Sequence, residues 1–74
     1  MKADTNGRQY AEYSKLTPGF IVQVDSGMNC IPANATRVVQ QDSYGMYIKC
    51  RCGHHYLDGQ LADEGDFLVG IYPL

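Results

Sequence analysis

The sequence lacks an apolar run of the roughly 20 residues that a membrane-spanning helix needs. Its first residues, Met-Lys-Ala-Asp-Thr-Asn-Gly, also lack the apolar core of a signal peptide. Helical patterns are almost absent, since only Tyr10, Tyr13 and Leu16 recur at a helix-like spacing before Pro18. These absences disfavour a membrane protein and an α-helical fold, and they predict a cytoplasmic location.

Basic residues are few and scattered. Six lysines and arginines face eight acidic residues, which gives a formal net charge of -2 and an isoelectric point near 5.4. Nucleic-acid binders usually cluster Lys and Arg, because these side chains displace the counterions of the phosphates. The charge balance therefore disfavours nucleic acid as the partner without excluding it.

Cysteine is also too scarce for a disulfide framework. The three cysteines cannot all pair within one chain, and a bond between Cys50 and Cys52 would close a strained ring. Reduced thiols are therefore expected. The 74 residues, 45% hydrophobic and 19% charged, are typical of one folded domain with a single modest core.

Alternating apolar and polar residues, interrupted by Gly, Pro, Asn and Asp, predict short β-strands. The longest alternation begins at Tyr44 and leads into the cluster Cys50-Arg-Cys-Gly-His-His55. Residues 42–45 are expected to form a hairpin loop, and residues 53–59 a break that carries the two histidines. The five predicted strands cover residues 20–24, 28–31, 36–41, 44–52 and 67–72.

Five short strands with a Pro-Gly entry, a meander of hairpins and a final strand after a short break predict an all-β fold. The expected form is a small five-stranded antiparallel sheet that is strongly bent. Over residues 16–74 this layout resembles SH3-like barrels. Residues 1–15 are expected to form an N-terminal tail, with one helical turn as an alternative, packed on the end of the barrel.

Strand parity predicts which side chains are buried. The expected core consists of Phe20, Val22, Val24, Val38, Met46, Ile48, Cys50, Phe67, Val69 and Ile71. The opposite parity carries the apolar residues Ile21, Val39, Tyr47, Leu68 and Tyr72. These residues either form an exposed surface for self-association or are covered by curvature of the barrel or by residues 1–15, the N-terminal arm.

The cysteines and histidines offer the ligands of a zinc site, with Cys30, Cys50, Cys52 and His54 as the set to test. Along an extended strand, however, same-side residues lie roughly 6.5 Å apart, a poor spacing for one metal ion. Buried cysteines and loop histidines are the preferred interpretation, so no metal and no cofactor is predicted. A Cys–His enzyme would also need a cleft, and the chain is predicted to be non-enzymatic.

The favoured function is a protein-binding or regulatory module that self-associates. Aromatic residues with arginine usually anchor such surfaces, so the predicted binding residues are Tyr47, Arg51, His55, Tyr56 and Tyr72. A nucleic-acid-binding barrel, in which aromatic rings stack on bases and Lys49 and Arg51 contact phosphates, is the main alternative. A small zinc-binding domain is the second.

Overall fold

The computed structural model describes residues 2–25, 31–51, 53–61 and 65–74. Within these residues the chain is all-β, as predicted, with eight strands and two short 3₁₀ helices but no α-helix. The 3₁₀ helices span Tyr13–Lys15 and Leu57–Gln60. The strands are β1 (Ala11–Glu12), β2 (Ile21–Val24), β3 (Ala35–Val38), β4 (Gln40–Asp42), β5 (Gly45–Cys50), β6 (Gly53–Tyr56), β7 (Phe67–Leu68) and β8 (Ile71–Pro73).

The strands form three small antiparallel sheets, ordered β3-β2-β8, β4-β5-β6 and β1-β7. Only Val39 separates β3 from β4, so one stretch of chain enters two sheets. The sheets of the described residues are not joined into a closed barrel. Of the expected second strand, residues 28–30 lie outside the described residues, and Ile31 is a buried residue outside any strand.

Two tight hairpins build the sheet β4-β5-β6. Asp42 pairs with Gly45, which confirms the predicted loop at residues 42–45, and Cys50 pairs with Gly53. The two glycines have φ angles of 128° and 124°, a conformation that side chains disfavour. Because the chain reverses before Gly53, the predicted strand 44–52 ends at Cys50. The predicted break at residues 53–59 is wrong, since it begins with strand β6.

The N-terminal segment packs against the C-terminal one. Tyr10 and Ala11 are buried, and β1 pairs with β7 through Ala11↔Leu68 and Glu12↔Phe67. The N–H of Tyr13 donates to the carbonyl of Asp66 at 2.7 Å. The segment therefore contributes a strand and part of the core, in addition to the single turn of 3₁₀ helix that follows it.

The predicted core is confirmed at Val22, Val24, Ile48 and Ile71, which are fully buried. It is wrong at Val38 and Val69, which are 47% and 39% exposed. Val38 pairs with exposed Ile21 on the outer face of its sheet, and Val69 lies in a turn that divides the predicted last strand. The remaining predicted core residues are only partly buried: Phe20, Met46, Cys50 and Phe67.

Of the two alternatives for the five apolar residues of the second parity, cover is the one observed for four of them, because only Ile21 is exposed. Val39 is buried between β3 and β4, and Leu68 is buried where β7 pairs with β1. Tyr72 is covered by the N-terminal arm: the Arg8 guanidinium lies 4.2 Å from its ring centroid, and the Tyr10 ring lies 5.4 Å away. The fifth member, Tyr47, is buried by its neighbours on the sheet surface.

Candidate aromatic binding surface

The outer face of the sheet β4-β5-β6 carries most of the polar and aromatic side chains that sequence patterns singled out. Ile48 is fully buried, so residues of the other parity on β5 face outwards. The cross-strand pairs Gln40↔Tyr47, Tyr47↔Tyr56 and Lys49↔His54 place their members on one face. The outer face therefore carries Gln40, Asp42, Tyr47, Lys49, His54 and Tyr56.

Four rings on this face touch one another. The His54 imidazole stacks on the Tyr47 ring, with centroids 3.8 Å apart and planes inclined by 15°. The Tyr56 ring lies 5.6 Å from Tyr47 and 6.0 Å from His54. Tyr44, in the β4–β5 loop, stands edge-on to Tyr56 at 6.2 Å. We call the set Tyr44, Tyr47, His54 and Tyr56 the aromatic surface.

Asp42 fixes one end of the aromatic surface. Its Oδ2 accepts a 2.5 Å hydrogen bond from the Tyr56 hydroxyl, and its Oδ1 accepts one from the Tyr44 N–H at 2.8 Å. The Tyr56 hydrogen bond is the largest cause that lowers the pKa of the Asp42 carboxyl below its usual value. The same bond raises the pKa of Tyr56 to about 12. His54 Nδ1 lies 3.5 Å from Asp42 Oδ2, so the carboxylate connects the loop to the two outer-face rings of β6, His54 and Tyr56.

We expect acid to destabilise the fold partly through these carboxyls. Asp42, Asp4 and Asp66 have lowered pKa values in the folded protein, chiefly through hydrogen bonds from Tyr56, Tyr72 and Ser14 respectively. A depressed folded pKa gives stability that is present above the unfolded value of about 3.9 and lost as the pH falls through the folded one. The melting temperature should therefore fall steeply below about pH 4.

The Tyr56→Phe variant should show a shallower fall in melting temperature, because it removes the main hydrogen bond that stabilises charged Asp42. Tyr47→Phe is the matched control, since the Tyr47 hydroxyl donates to the uncharged Gln40 amide oxygen at 3.4 Å. Thermal unfolding followed by circular dichroism from pH 7 to pH 2 measures both slopes. Equal acid slopes for the two variants would contradict the role assigned to Asp42.

The structure brings together only part of the predicted binding set. Tyr47 and Tyr56 are neighbours on the aromatic surface, and exposed Arg51 lies in the β5–β6 turn beside it. His55 has the opposite parity, and its Nε2 lies 3.2 Å from Gln60 Oε1. Tyr72 lies in another sheet, where it is buried and donates to Asp4 at 2.7 Å. His55 and Tyr72 are therefore not part of this surface.

Sequence reasoning missed Tyr44 and the role of His54. The predicted loop 42–45 and the predicted strand 44–52 both include Tyr44, and its position in a two-residue loop, where a side chain points to solvent, was the signal that could have identified it. His54 was considered only as a metal ligand or a loop residue. The reversal at Gly53, which sets it opposite Lys49, was the signal that could have placed it on the outer face.

Of the four candidate zinc ligands, the structure describes Cys50 and His54. Cys30 and Cys52 lie outside the described residues. Cys50 pairs with Gly53 and shares the inner parity of Ile48, whereas His54 lies on the outer face. Cys50 and His54 would share one side only if the chain stayed extended through Gly53, and it instead turns back between them. The described residues contain no group of three or more His, Cys, Asp or Glu that could hold a metal ion.

No helix among the described residues is long and apolar enough to cross a membrane. In comparisons with protein-family models, curated proteins and solved structures, no match to this chain was found.

Proposed function

We propose that this chain is a small, non-enzymatic binding module of the cytoplasm that contacts a protein partner through its aromatic surface. The observation that carries the proposal is the position of Tyr44, whose side chain is 81% exposed while its ring rests edge-on against Tyr56. A ring so exposed contributes little buried area to the fold. Large exposed aromatic side chains are typical anchors of protein interfaces.

The aromatic surface is also rigid enough to act as an anchor. Tyr47 and His54 are stacked, and Tyr56 is bound to Asp42, so these rings are already ordered before a partner arrives. Side chains held in one conformation lose less entropy on binding. Tyr44 then provides the exposed contact on a preorganised support.

For the architecture we propose an SH3-like barrel layout. Two observations support it. The stretch formed by β3, Val39 and β4 pairs with β2 in one sheet and with β5 in the other, so it acts as one long bent strand. A 3₁₀ helix, Leu57–Gln60, separates β6 from the segments of the last strand. Counted in this way, the two larger sheets contain five principal strands.

Self-association remains one form that the protein partner can take, although most of the apolar surface expected to drive it is buried. A smaller apolar row supports it. Exposed Ile21 pairs with exposed Val38 on one side, and its carbonyl accepts the N–H of Leu74 on the other. The three residues form a row across the sheet β3-β2-β8. Ile21 is 44% exposed, Val38 47% and Leu74 70%.

Single-stranded nucleic acid is the second candidate partner. Lys49 and Arg51 are exposed beside the aromatic surface, which is the combination of base-stacking rings and phosphate contacts that such proteins use. The net charge of -2 favours a protein instead. The dependence of affinity on salt separates the two, because phosphate contacts make binding fall steeply with salt.

The non-enzymatic part of the proposal is supported by the positions of Cys50 and of the two histidines. Cys50 lies on the inner face of the β5–β6 hairpin and His54 on the outer face, whereas His55 shares the inner face but its Nε2 lies 3.2 Å from Gln60 Oε1. A Cys–His nucleophile requires these groups within hydrogen-bond reach. The same separation disfavours the zinc-domain alternative, because Cys50 and His54 were two of its four expected ligands.

A photo-crosslinking experiment tests the contact at Tyr44. With benzoylphenylalanine at position 44, we expect covalent adducts with one protein in the cells that produce the chain. The matched control places the same group at Thr5, an exposed residue of the N-terminal segment. Adducts at position 44 but not at position 5 support the proposal, whereas identical adducts at both positions, or none at position 44, contradict it.

The Tyr44→Ala variant gives the affinity test with the captured protein. We expect the dissociation constant to rise about tenfold or more, the usual effect of removing an interface anchor. The melting temperature should change little, because the side chain is mostly exposed. Isothermal titration calorimetry and thermal unfolding measure the two effects. An unchanged dissociation constant would show that the partner binds elsewhere.

A further inference from the structure

The charge of the chain is unevenly distributed around the aromatic surface. Residues 35–57 carry three basic side chains and one acidic one, whereas the rest of the chain carries three basic and seven acidic ones. The local charge of this region is thus positive although the whole chain is negative. Residues 35–57 therefore attract anions, although the net charge of the whole chain is -2.

The three basic residues meet at one end of the sheet β4-β5-β6, which we call the basic end: Arg37, Lys49 and Arg51. Lys49 is the outer-face partner of His54, and exposed Arg51 follows β5 in the turn. The Arg37 Nε donates to the Lys49 carbonyl at 3.1 Å, which fixes its guanidinium beside the same turn. Another donor, Nη1, is used by the Thr36 carbonyl at 2.9 Å. Lys49 and Arg51 are thus the cations most available to a partner.

The opposite end of the same face, the aromatic end, carries Asp42 and Tyr44. Tyr56 pairs with Tyr47 midway along β5 and reaches this end through its hydroxyl, which donates to Asp42. Strand β5 runs between the two ends, and a strand rises about 3.3 Å per residue. Tyr44 immediately precedes β5 and is five positions before Lys49, so the two ends are at most about 16 Å apart along the strand. The stacked pair Tyr47–His54 fills the space between them.

From this geometry we infer that the partner presents an extended acidic segment, with an aromatic or aliphatic anchor at Tyr44 and Tyr56 and carboxylates at Lys49 and Arg51. This inference rests on the proposed function and adds the chemistry of the partner to it. The anchor and the carboxylates should lie about five residues apart, since an extended segment has the same rise as β5. Charge complementarity of this kind steers association and selects partners.

Asp42 sets the direction of the segment. Its carboxylate stays charged because the Tyr56 hydroxyl and the Tyr44 N–H bind it. A negative charge at the aromatic end repels carboxylates there, whereas the basic end attracts them. The acidic residues of the partner should therefore lie on one side of its anchor only.

Binding of the folded chain to an array of random ten-residue peptides tests the inference. We expect the bound peptides to be enriched in Asp and Glu about five positions from an aromatic or aliphatic residue. Lys49→Glu should weaken the binding of these peptides about tenfold, because it places a carboxylate of the chain beside the carboxylates of the peptide. Lys2→Glu is the matched control: it changes the net charge equally, lies in the N-terminal segment, and should leave the affinities unchanged.

The outcomes separate the inference from the proposed function. If the bound peptides require Tyr44 but show no acidic enrichment, the partner is not acidic and only the aromatic contact stands. The same follows if their affinity is unchanged by Lys49→Glu. If the Tyr44→Ala variant binds the peptides with unchanged affinity, the proposed aromatic contact is wrong. An array without any bound peptide also overturns the inference. Tighter binding of a ten-nucleotide oligothymidylate than of the best peptide, with a steep salt dependence, would assign the surface to nucleic acid.

Discussion

Replacing Ile48 with alanine should lower the free energy of unfolding by about 2 to 5 kcal/mol. The side chain is fully buried in the middle of β5 and belongs to the main core cluster. The expected loss combines the lost burial of the removed carbons with the cavity that they leave. In a domain of this size that loss is a large part of the total stability.

Val38→Ala is the matched control for Ile48→Ala, because strand parity alone assigned both residues to the core. Val38 is 47% exposed opposite Ile21, and its truncation should cost no more than about 0.5 kcal/mol. Urea unfolding of both variants, with the slope of the transition held common, measures the difference. Comparable losses for the two variants would mean that the register of β3 is shifted by one residue.

Replacing Tyr10 with alanine should destabilise the protein by about 3 to 5 kcal/mol, the range for truncating a large buried aromatic side chain. Tyr10 is buried, and its ring lies 5.4 Å from Tyr72. Its removal exposes Tyr72, on the outer face of the sheet β3-β2-β8, to water. A loss of this size would establish that the N-terminal arm is part of the fold.

The control for Tyr10→Ala is Tyr10→Phe, which keeps the ring contact with Tyr72 and should retain nearly all of the stability. Chemical unfolding gives both values, and the near-ultraviolet circular dichroism of the tyrosines reports whether the ring pair persists. If Tyr10→Ala unfolds at the same denaturant concentration as the unaltered chain, the arm does not contribute to the core.

Strand parity was sufficient to locate the centre of the fold. Strand parity alone assigned Val22, Val24, Ile48 and Ile71 to the core, and each is buried as predicted. The loop at residues 42–45 followed from its Asp, Ser and Gly residues, and its side-chain hydrogen bond is observed. Local chemistry determined these features, so a single sequence contained the information.

Parity failed where the burial of a residue depended on a distant segment. Strand parity left open whether Tyr72 is exposed or covered, because nothing local indicates that Arg8 and Tyr10 cover it. It left Leu68 open as well, because the partner strand of Leu68, at Ala11, lies in a segment without strand character. Non-local contacts of this kind override local propensity and leave no periodic signal.

For the candidate site, the sequence identified the residue types but not their grouping. Tyr47 and Tyr56, two of the predicted binding residues, are neighbours in the structure, and Tyr44 and His54 lie beside them. The same-side placement of Cys50 and His54 required the chain to stay extended through Gly53, beyond the predicted strand 44–52. A reversal at Gly53 exchanges the two faces for all later residues, so Cys50 and His54 are on opposite faces despite their equal parity.

The register of the sheets has a consequence for how the chain assembles. In the sheet β4-β5-β6 each strand pairs with its neighbour in sequence through a two-residue loop, so these contacts close at little entropic cost. Strand β2 instead pairs with β8, as in Val24↔Ile71, and β1 pairs with β7. These pairings enclose most of the chain, and long-range pairing of this kind slows folding. The face that carries the aromatic surface is therefore the most local part of the topology, whereas the N-terminal arm joins through contacts that enclose nearly everything else.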